Sequence, residues 1–276
     1  LSQVVQVIWP DPGVIEISDR GLGYGDGLFE TIRVDCGQPF LLGRHLCRLL
    51  EDAGRLGIPV ARAEIESAVQ QALERLALPS EVCVFKLILT RGSGGRGYRV
   101  PETVHPRLIF SVHPAPPAPE PGGIRASVSA IPLVVHPAMA GMKSLERMQQ
   151  VLASRELRPG EFERIMPDVG GRLIEGTRTN LFVKSGGAWI TPPRECLAVA
   201  GVMRAELLDC LGKHGARVEQ RLVTASDLGH GRLQGMWLTN SVTGIVPVRS
   251  MDGRELPVSD HLATIAPHGI FTGPSV

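Results

Sequence analysis

The sequence predicts an α+β fold in two domains, on three observations. Short β-branched runs alternate with amphipathic helical stretches, a proline-rich segment interrupts the pattern before the middle, and 276 residues suit two ordinary domains or one large one. The interrupting segment, HPAPPAPEPGG at 113–123, has five prolines in eleven residues and ends in two glycines, which neither a helix nor a central strand accommodates. It reads as a linker between a first domain at 1–112 and a second at 124–276.

In the first domain, VVQVIW (4–9), VIEIS (14–18) and FETIRV (29–34) read as strands, separated by Asp-Pro-Gly and by the glycine-dense turn GLGYGDG (21–27). RHLCRLLEDAGRLGI (44–58) and AEIESAVQQALERLAL (63–78) follow, each apolar at i, i+3, i+4 and i+7 as a helix with one buried face requires. EVCVFKLILT (81–90) and RLIFSVHP (107–114) return to strand character on either side of a glycine-rich loop. In the second domain, IRASVSAIPLVV reads as one or two strands and SLERMQQVLASREL (144–157) as a helix. GRLIEGTRTNLFVKSGGAWITP reads as three strands with turns, VMRAELLDCLGKHG (202–215) as a helix, and VEQRLVT, GMWLTNS and IVPVRS as strands.

Composition narrows the function. A net charge of +1 supplies no field for gripping nucleic acid or an anionic membrane. No apolar run approaches the roughly 20 residues of a spanning helix, and LSQVVQVIWPDP lacks the basic start of a signal peptide, so a cytoplasmic protein is expected. The five cysteines (Cys36, Cys47, Cys83, Cys196, Cys210) are odd in number and contain no C-x-x-C pair; they read as reduced thiols. No H-x-x-x-H spacing or carboxylate-rich loop occurs, so no metal is expected. GSGGRG (92–97) matches G-x-G-x-x-G, yet YRVPETVHP follows where the dinucleotide motif needs a helix to receive the pyrophosphate. Both glycine motifs therefore read as turns needing positive φ or close backbone approach.

The chain has 25 arginines and only four lysines, which limits where an amine nucleophile can sit. Lys86 and Lys184 fall in strand patterns, and Lys213 ends a helix, where a cation favours the macrodipole. Lys143 follows the small, flexible PAMAGM. Desolvated there, it would be an amine able to condense with an aldehyde cofactor, while its residues alone favour an exposed lysine at a helix start.

SDRGLGYGDGLFETIRV, TRGSGGRGY, KSLERMQQVLASREL, IEGTRTNLF and TNSVTGIVPV occur in one order, and that order resembles the fold-type IV pyridoxal-phosphate enzymes, the group of branched-chain and D-amino-acid aminotransferases. The first three segments are most similar to the aminodeoxychorismate lyases of that group, and the resemblance spans about residues 3–255. It implies a two-domain α+β, D-amino-acid-aminotransferase-like fold with pyridoxal 5'-phosphate between the domains, acting on a small molecule, and a homodimer. It implies Lys143 as the Schiff-base lysine and proton carrier, Glu175 as the carboxylate on the pyridine nitrogen, and Arg48 as the phosphate-binding arginine. The N–H groups of Val202 and Met203 and the side chain of Ser241 complete the implied phosphate cup. Arg48 by itself would also suit the exposed side of an amphipathic helix. Arg33, Arg96, Arg99 and Arg178 are candidates for substrate carboxylates, because a guanidinium fork matches that shape, and Tyr24 is a candidate neighbour of the cofactor.

The implied reaction is elimination of pyruvate from 4-amino-4-deoxychorismate to leave p-aminobenzoate, the folate precursor. The alternatives are transamination of a D- or branched-chain amino acid on the same scaffold and a non-catalytic small-molecule-binding relative. Three positions depart from the group's pattern. Glu146 stands where the lyases commonly have asparagine, Met148 stands where the aminotransferases often have tyrosine, and EFERIMPDVGGR is less acidic than usual.

Overall fold

The computed structural model describes residues 5–10, 13–76, 81–120, 122–229, 231–259, 261–269 and 271. Val4 of the first expected strand, residues 77 and 78 of the second expected helix and Pro121 of the expected linker lie outside these. Two compact units result, Leu1–Ala115 with Met142–Glu146, and Pro116–Gly141 with Arg147–Val276. The crossing at 115/116 lies within the proline-rich segment. The expectation of an unbroken second domain from 124 onward needs correction, because the five residues around Lys143 belong to the first unit.

The first unit contains β1 (Gln6–Ile8), α1 (Arg20–Tyr24), β2 (Gly27–Asp35), β3 (Gln38–Pro39), α2 (Leu42–Leu56), α3 (Arg62–Arg75), β4 (Cys83–Thr90) and β5 (Arg107–Pro114). Its sheet runs β1-β5-β4-β2-β3, antiparallel except for β1 on β5. Along β2 the pleat buries Leu28, Glu30, Ile32 and Val34, so a carboxylate sits in an otherwise apolar row. Leu46, Leu49 and Ala53 of α2 and Ile65, Val69 and Ala72 of α3 complete the core with Phe85, Leu87 and Phe110. Each apolar residue of the α2 stripe follows a polar one that is buried as well: His45, Arg48 and Asp52.

Two expectations fail here. VIEIS at 14–18 forms no strand; Val14 is 71% and Ile17 93% exposed, and β-branched alternation without a neighbouring strand does not make a ladder. The expected helix from 144 begins later, because Ser144 bridges to Leu28 and the N–H of Leu145 donates to the Gly27 carbonyl at 3.0 Å. Residues 142–146 thus lie along the start of β2, and Lys143 is not at a helix start.

The second unit comprises β6 (Ile124–Val128), α4 (Met148–Ser154), β7 (Glu163–Pro167), β8 (Leu173–Gly176), β9 (Asn180–Ser185), β10 (Ala188–Thr191), α5 (Val202–Lys213), β11 (Val218–Gln220), β12 (Leu233–Asn240), β13 (Gly244–Met251), β14 (Arg254–Glu255) and α6 (His261–Ile265). Its strands run β11-β10-β9-β12-β13-β6-β7-β8, with β14 on β13. β8 also pairs β9, so six of these strands close on themselves around Ile124, Ile165, Leu181, Val183, Leu238 and Val248. Glu175↔Asn180 is the register pair that makes this closure. The strand β7 was not anticipated from EFERIMPDVGGR, and of IRASVSAIPLVV only the first part is a strand.

Candidate active site

In the first unit, Lys143 is held as the strand-like partner of Phe29. Its carbonyl accepts the Phe29 N–H at 3.0 Å, and its Nζ lies 4.0 Å from the centre of the Phe29 ring, whose face favours a cation. Its own N–H donates to Oδ2 of the buried Asp52 at 3.3 Å. One turn earlier on α2, Arg48 grips Glu30 with both arms, Nε to Oε1 at 2.8 Å and Nη2 to Oε2 at 2.5 Å. His45 Nδ1 lies 2.6 Å from the same Oε2.

Burial pushes the Glu30 carboxyl up, but the charge of Arg48 and the bonds to His45 and Arg48 outweigh it and hold the carboxyl at about 2. Burial drives His45 the other way, toward its neutral form, and nearby Arg48 and Lys143 add to that; attraction to Glu30 only partly offsets it. A neutral His45 then donates from Nδ1, so Arg48 is the cation opposite Glu30.

The loop that follows β4 is tied down from α1. The Arg20 guanidinium donates to the carbonyls of Gly94, Gly97, Tyr98 and Arg99 at 3.1–3.4 Å, and Asp26 holds Arg20 and Arg91 at 2.8 Å. Arg96 and Arg99 are exposed on this loop. Tyr24 is half-exposed, edge-on to Tyr98 at 5.5 Å. Arg33 lies on the same side of β2 as Phe29, with Nη2 3.3 Å from Asp35. The pleat of β2 sets Arg33 on the face opposite Glu30.

In the second unit, Glu175 is buried; it accepts from Asn180 Nδ2 at 3.2 Å and from the Val199 N–H at 3.4 Å. Asn180 also donates to the Val199 carbonyl at 2.9 Å and accepts the Gly201 N–H at 3.0 Å, so one amide ties Glu175 to the entrance of α5. A Cβ at Gly201 would lie 2.1 Å from Asn180 Oδ1, a contact only glycine avoids. No side chain caps α5, so the N–H groups of Val202 and Met203 face out of a twelve-residue helix start, where an anion is favoured. Arg204, in the same turn, is buried on Pro192 O (2.7 Å) and Gln220 (3.0 Å), and burial lowers it to about 10.

The turn between β8 and β9 is built on a second buried carboxylate. Glu163 accepts from Thr177 Oγ1 (2.6 Å), Thr179 Oγ1 (3.0 Å) and the N–H groups of Arg164 (3.0 Å) and Arg178 (3.2 Å). Gly176 is required beside it, since a Cβ there would lie 2.3 Å from Thr179 Oγ1 and 2.6 Å from Glu163 Cγ. Arg178 is exposed, over the Phe162 ring and donating to the Phe162 carbonyl at 2.8 Å. Asn240 Oδ1 accepts the N–H groups of Val242 and Thr243 at 2.8 and 2.7 Å, shaping the turn that holds the buried Ser241, and its Nδ2 donates to the Arg178 carbonyl at 3.3 Å.

Sequence reading missed Glu30, His45, Asp52, Glu163, Asn180 and Asn240. Glu30 carried a signal, a carboxylate in the apolar phase of a strand. No metal was expected; among the described residues one trio, Glu206, Cys210 and His268, brings possible ligand atoms within 4.8 Å of one another, and there His268 pairs with Glu206 at 3.2 Å.

The class IV aminotransferase family profile matches residues 27–251. The chain belongs to the class IV aminotransferases. A provisionally named branched-chain-amino-acid aminotransferase of Methanocaldococcus jannaschii is 32% identical over 247 residues, 87% of this chain and 83% of that one. The aminodeoxychorismate lyase of Vibrio harveyi is 31% identical over 247 residues, 87% and 89% of the two chains. The crystal structure of 4-amino-4-deoxychorismate lyase from Pseudomonas aeruginosa superposes with a TM-score of 0.86 at 38% identity, covering 93% of this chain and 94% of that one. Class IV aminotransferases and their lyase relatives are pyridoxal-phosphate enzymes, and this chain has the fold-type IV architecture. No helix among the described residues is long and apolar enough to cross a membrane.

Proposed function

We propose that this class IV aminotransferase is a 4-amino-4-deoxychorismate lyase, releasing pyruvate and p-aminobenzoate in the cytoplasm. The observation that carries the reading is its likeness to the P. aeruginosa lyase over nearly the whole of both chains. The arginine-tied loop GSGGRGY, one of the segments most similar to the lyases, supports it. Five free cysteines suit a reducing compartment.

The residues present fit pyridoxal phosphate on their own chemistry. The first unit supplies an amine and a guanidinium, and the second a buried acid and an uncapped helix start whose glycine leaves no room for a side chain. When bound, the cofactor supplies an aldehyde for the amine and a protonated ring that withdraws electrons from the substrate carbon bearing nitrogen. Arg48, oriented by Glu30, and the N–H groups of Val202 and Met203 with Ser241 would hold the phosphate. Glu175, pinned by Asn180, would keep the ring nitrogen protonated. Lys143 would take the proton from the carbon bearing the amino group; loss of the enolpyruvyl oxygen leaves an aromatic ring, and a proton delivered to the enol carbon makes pyruvate. Orientation and charge stabilisation are what the protein adds. Among Arg33, Arg96, Arg99 and Arg178, those on the tied loop are the proposed carboxylate partners, being exposed beside the two tyrosines.

A second copy of the chain is the proposed partner, because Ile17 (93%), Leu22 (69%) and Tyr98 (87%) are exposed in the first unit. Sedimentation of the purified protein as a monomer would remove it. Transamination is the second reading, favoured by the M. jannaschii relative being as similar as the V. harveyi lyase. Turnover assayed with and without a keto acid separates the two: the lyase needs none.

A further inference from the structure

We propose that Asp52 is a positioning residue for Lys143, fixing the lysine's main chain by a charged acceptor and favouring the protonated form of its amine. The inference rests on Lys143 being the reacting amine. Residues 142–146 pair with the start of β2 through Phe29 N–H to Lys143 O and Leu145 N–H to Gly27 O. The Lys143 N–H instead goes to Asp52 Oδ2, which ends the pairing at the lysine and ties it to α2. Asp52 lies four residues beyond Arg48, on the same helix face, so a single helix presents both the guanidinium and the tether of the amine.

The acceptor is an expensive choice. Asp52 has a side chain 1% exposed, and burial pushes its carboxyl above the ordinary range, opposed by Arg55 Nη1 at 2.9 Å and by the Lys143 N–H. An asparagine or serine could accept the same N–H without burying a charge. What the aspartate adds over these is a negative charge, placed between Arg55 Nη1 and the lysine N–H. Among the described residues of this unit, the charged or titratable groups that act on His45, on Asp52 or on the Phe29 ring beside the lysine include Glu30 of β2, Arg48 and Arg55 of α2 and Lys86 of β4, and Glu146 follows three residues after the lysine. Glu30 is matched by the bidentate Arg48 and Asp52 by Arg55, and it is Asp52 that also takes the N–H of the lysine residue.

The test compares Asp52→Asn, which keeps an oxygen acceptor and removes the charge, with Asp52→Ala, which removes both. In cofactor-free protein, the pH midpoint of Lys143 acylation by an amine-reactive reagent is followed by peptide mass spectrometry, with Lys184 as internal reference. Asp52→Asn is expected to lower the Lys143 midpoint by about 0.5–1 pH unit and leave Lys184 unchanged. The rate of pyridoxal phosphate attachment, read by visible absorbance at a pH above the midpoints of all three proteins so that the amine is free in each, is expected to stay within about twofold in Asp52→Asn and to fall on the order of tenfold in Asp52→Ala. An unmoved midpoint in Asp52→Asn, or an attachment rate that falls equally in both variants, would overturn the assignment. If the wild-type protein attaches no pyridoxal phosphate but the midpoint still moves, the cofactor reading fails and the Asp52 assignment stands.

Discussion

In the first unit Arg48 is gripped by a buried carboxylate that also takes His45, and Lys143 is tethered by another, Asp52. In the second, Glu175 is held by the amide of Asn180 and a backbone N–H, and the neighbouring turn by hydroxyls converging on Glu163. One half is organised by matched charges, the other mainly by hydrogen bonds and by glycines with no room for a Cβ. The charged half should therefore respond to pH and to the loss of one partner of a pair, and the hydrogen-bonded half to added volume.

The largest expected effect is Lys143→Ala, which should abolish pyruvate release and cofactor attachment, checked by product assay and absorbance. Retained turnover would remove the amine from the mechanism. Next, Arg48→Met strands Glu30 as an unpaired buried charge and should cost about 3–5 kcal/mol in denaturant unfolding. The double variant Arg48→Met with Glu30→Leu should recover most of that, and a double variant as unstable as the single would break the matched-charge account. In the other unit, Glu175→Gln preserves the Asn180 bond but not the charge; it should keep the cofactor and slow proton abstraction on the order of 10²-fold.

Gly176→Ala sharpens the contrast by steric means. The added methyl would lie 2.3 Å from Thr179 Oγ1, and displacing it should cost about 1–3 kcal/mol of unfolding free energy. A neutral result would mean that the Glu163-centred turn is looser than its bonds indicate.

The smallest effect is the pH dependence. His45 is held below its ordinary value of 6.5, so its contribution to stability is present above that pH and is lost as pH falls through it. Glu30, held at about 2 against an ordinary 4.5, behaves alike at lower pH, its stabilisation fading from about 4.5 toward 2. Asp52, shifted upward, has the opposite sign and partly offsets the loss on the acid side. Amide exchange should thus loosen in the first unit before the second as pH falls below about 6.5, and His45→Asn should flatten that slope.

Much of the fold could be read because periodicity reports burial. The strand at 107–114 and the helices at 44–58, 63–78 and 202–215 appear within a few residues of the expected places among those described. VIEIS misled because alternation predicts β propensity and not a partner strand, and the stretch from 144 misled because residues of helical pattern were taken by the edge of β2. Of the proposed site, Lys143, Glu175 and Arg48 were named through the order of the motifs. Their companions were not, because a polar residue next to an apolar helix stripe looks the same whether it faces water or, like His45, Arg48 and Asp52, a buried carboxylate or a neighbouring N–H. Glu163 was lost for another reason: its strand has a weak pattern, and its four donors come from a turn and a neighbouring N–H that only the closed sheet brings to it.

The most direct test of the proposed lyase is pyruvate release from 4-amino-4-deoxychorismate by the purified, cofactor-loaded protein with no keto acid added. The account predicts repeated turnover, with p-aminobenzoate formed one-to-one with pyruvate. No pyruvate, together with an absorbance change on adding D-alanine or leucine and turnover only when a keto acid is supplied, would contradict it and make the protein a transaminase on the same fold.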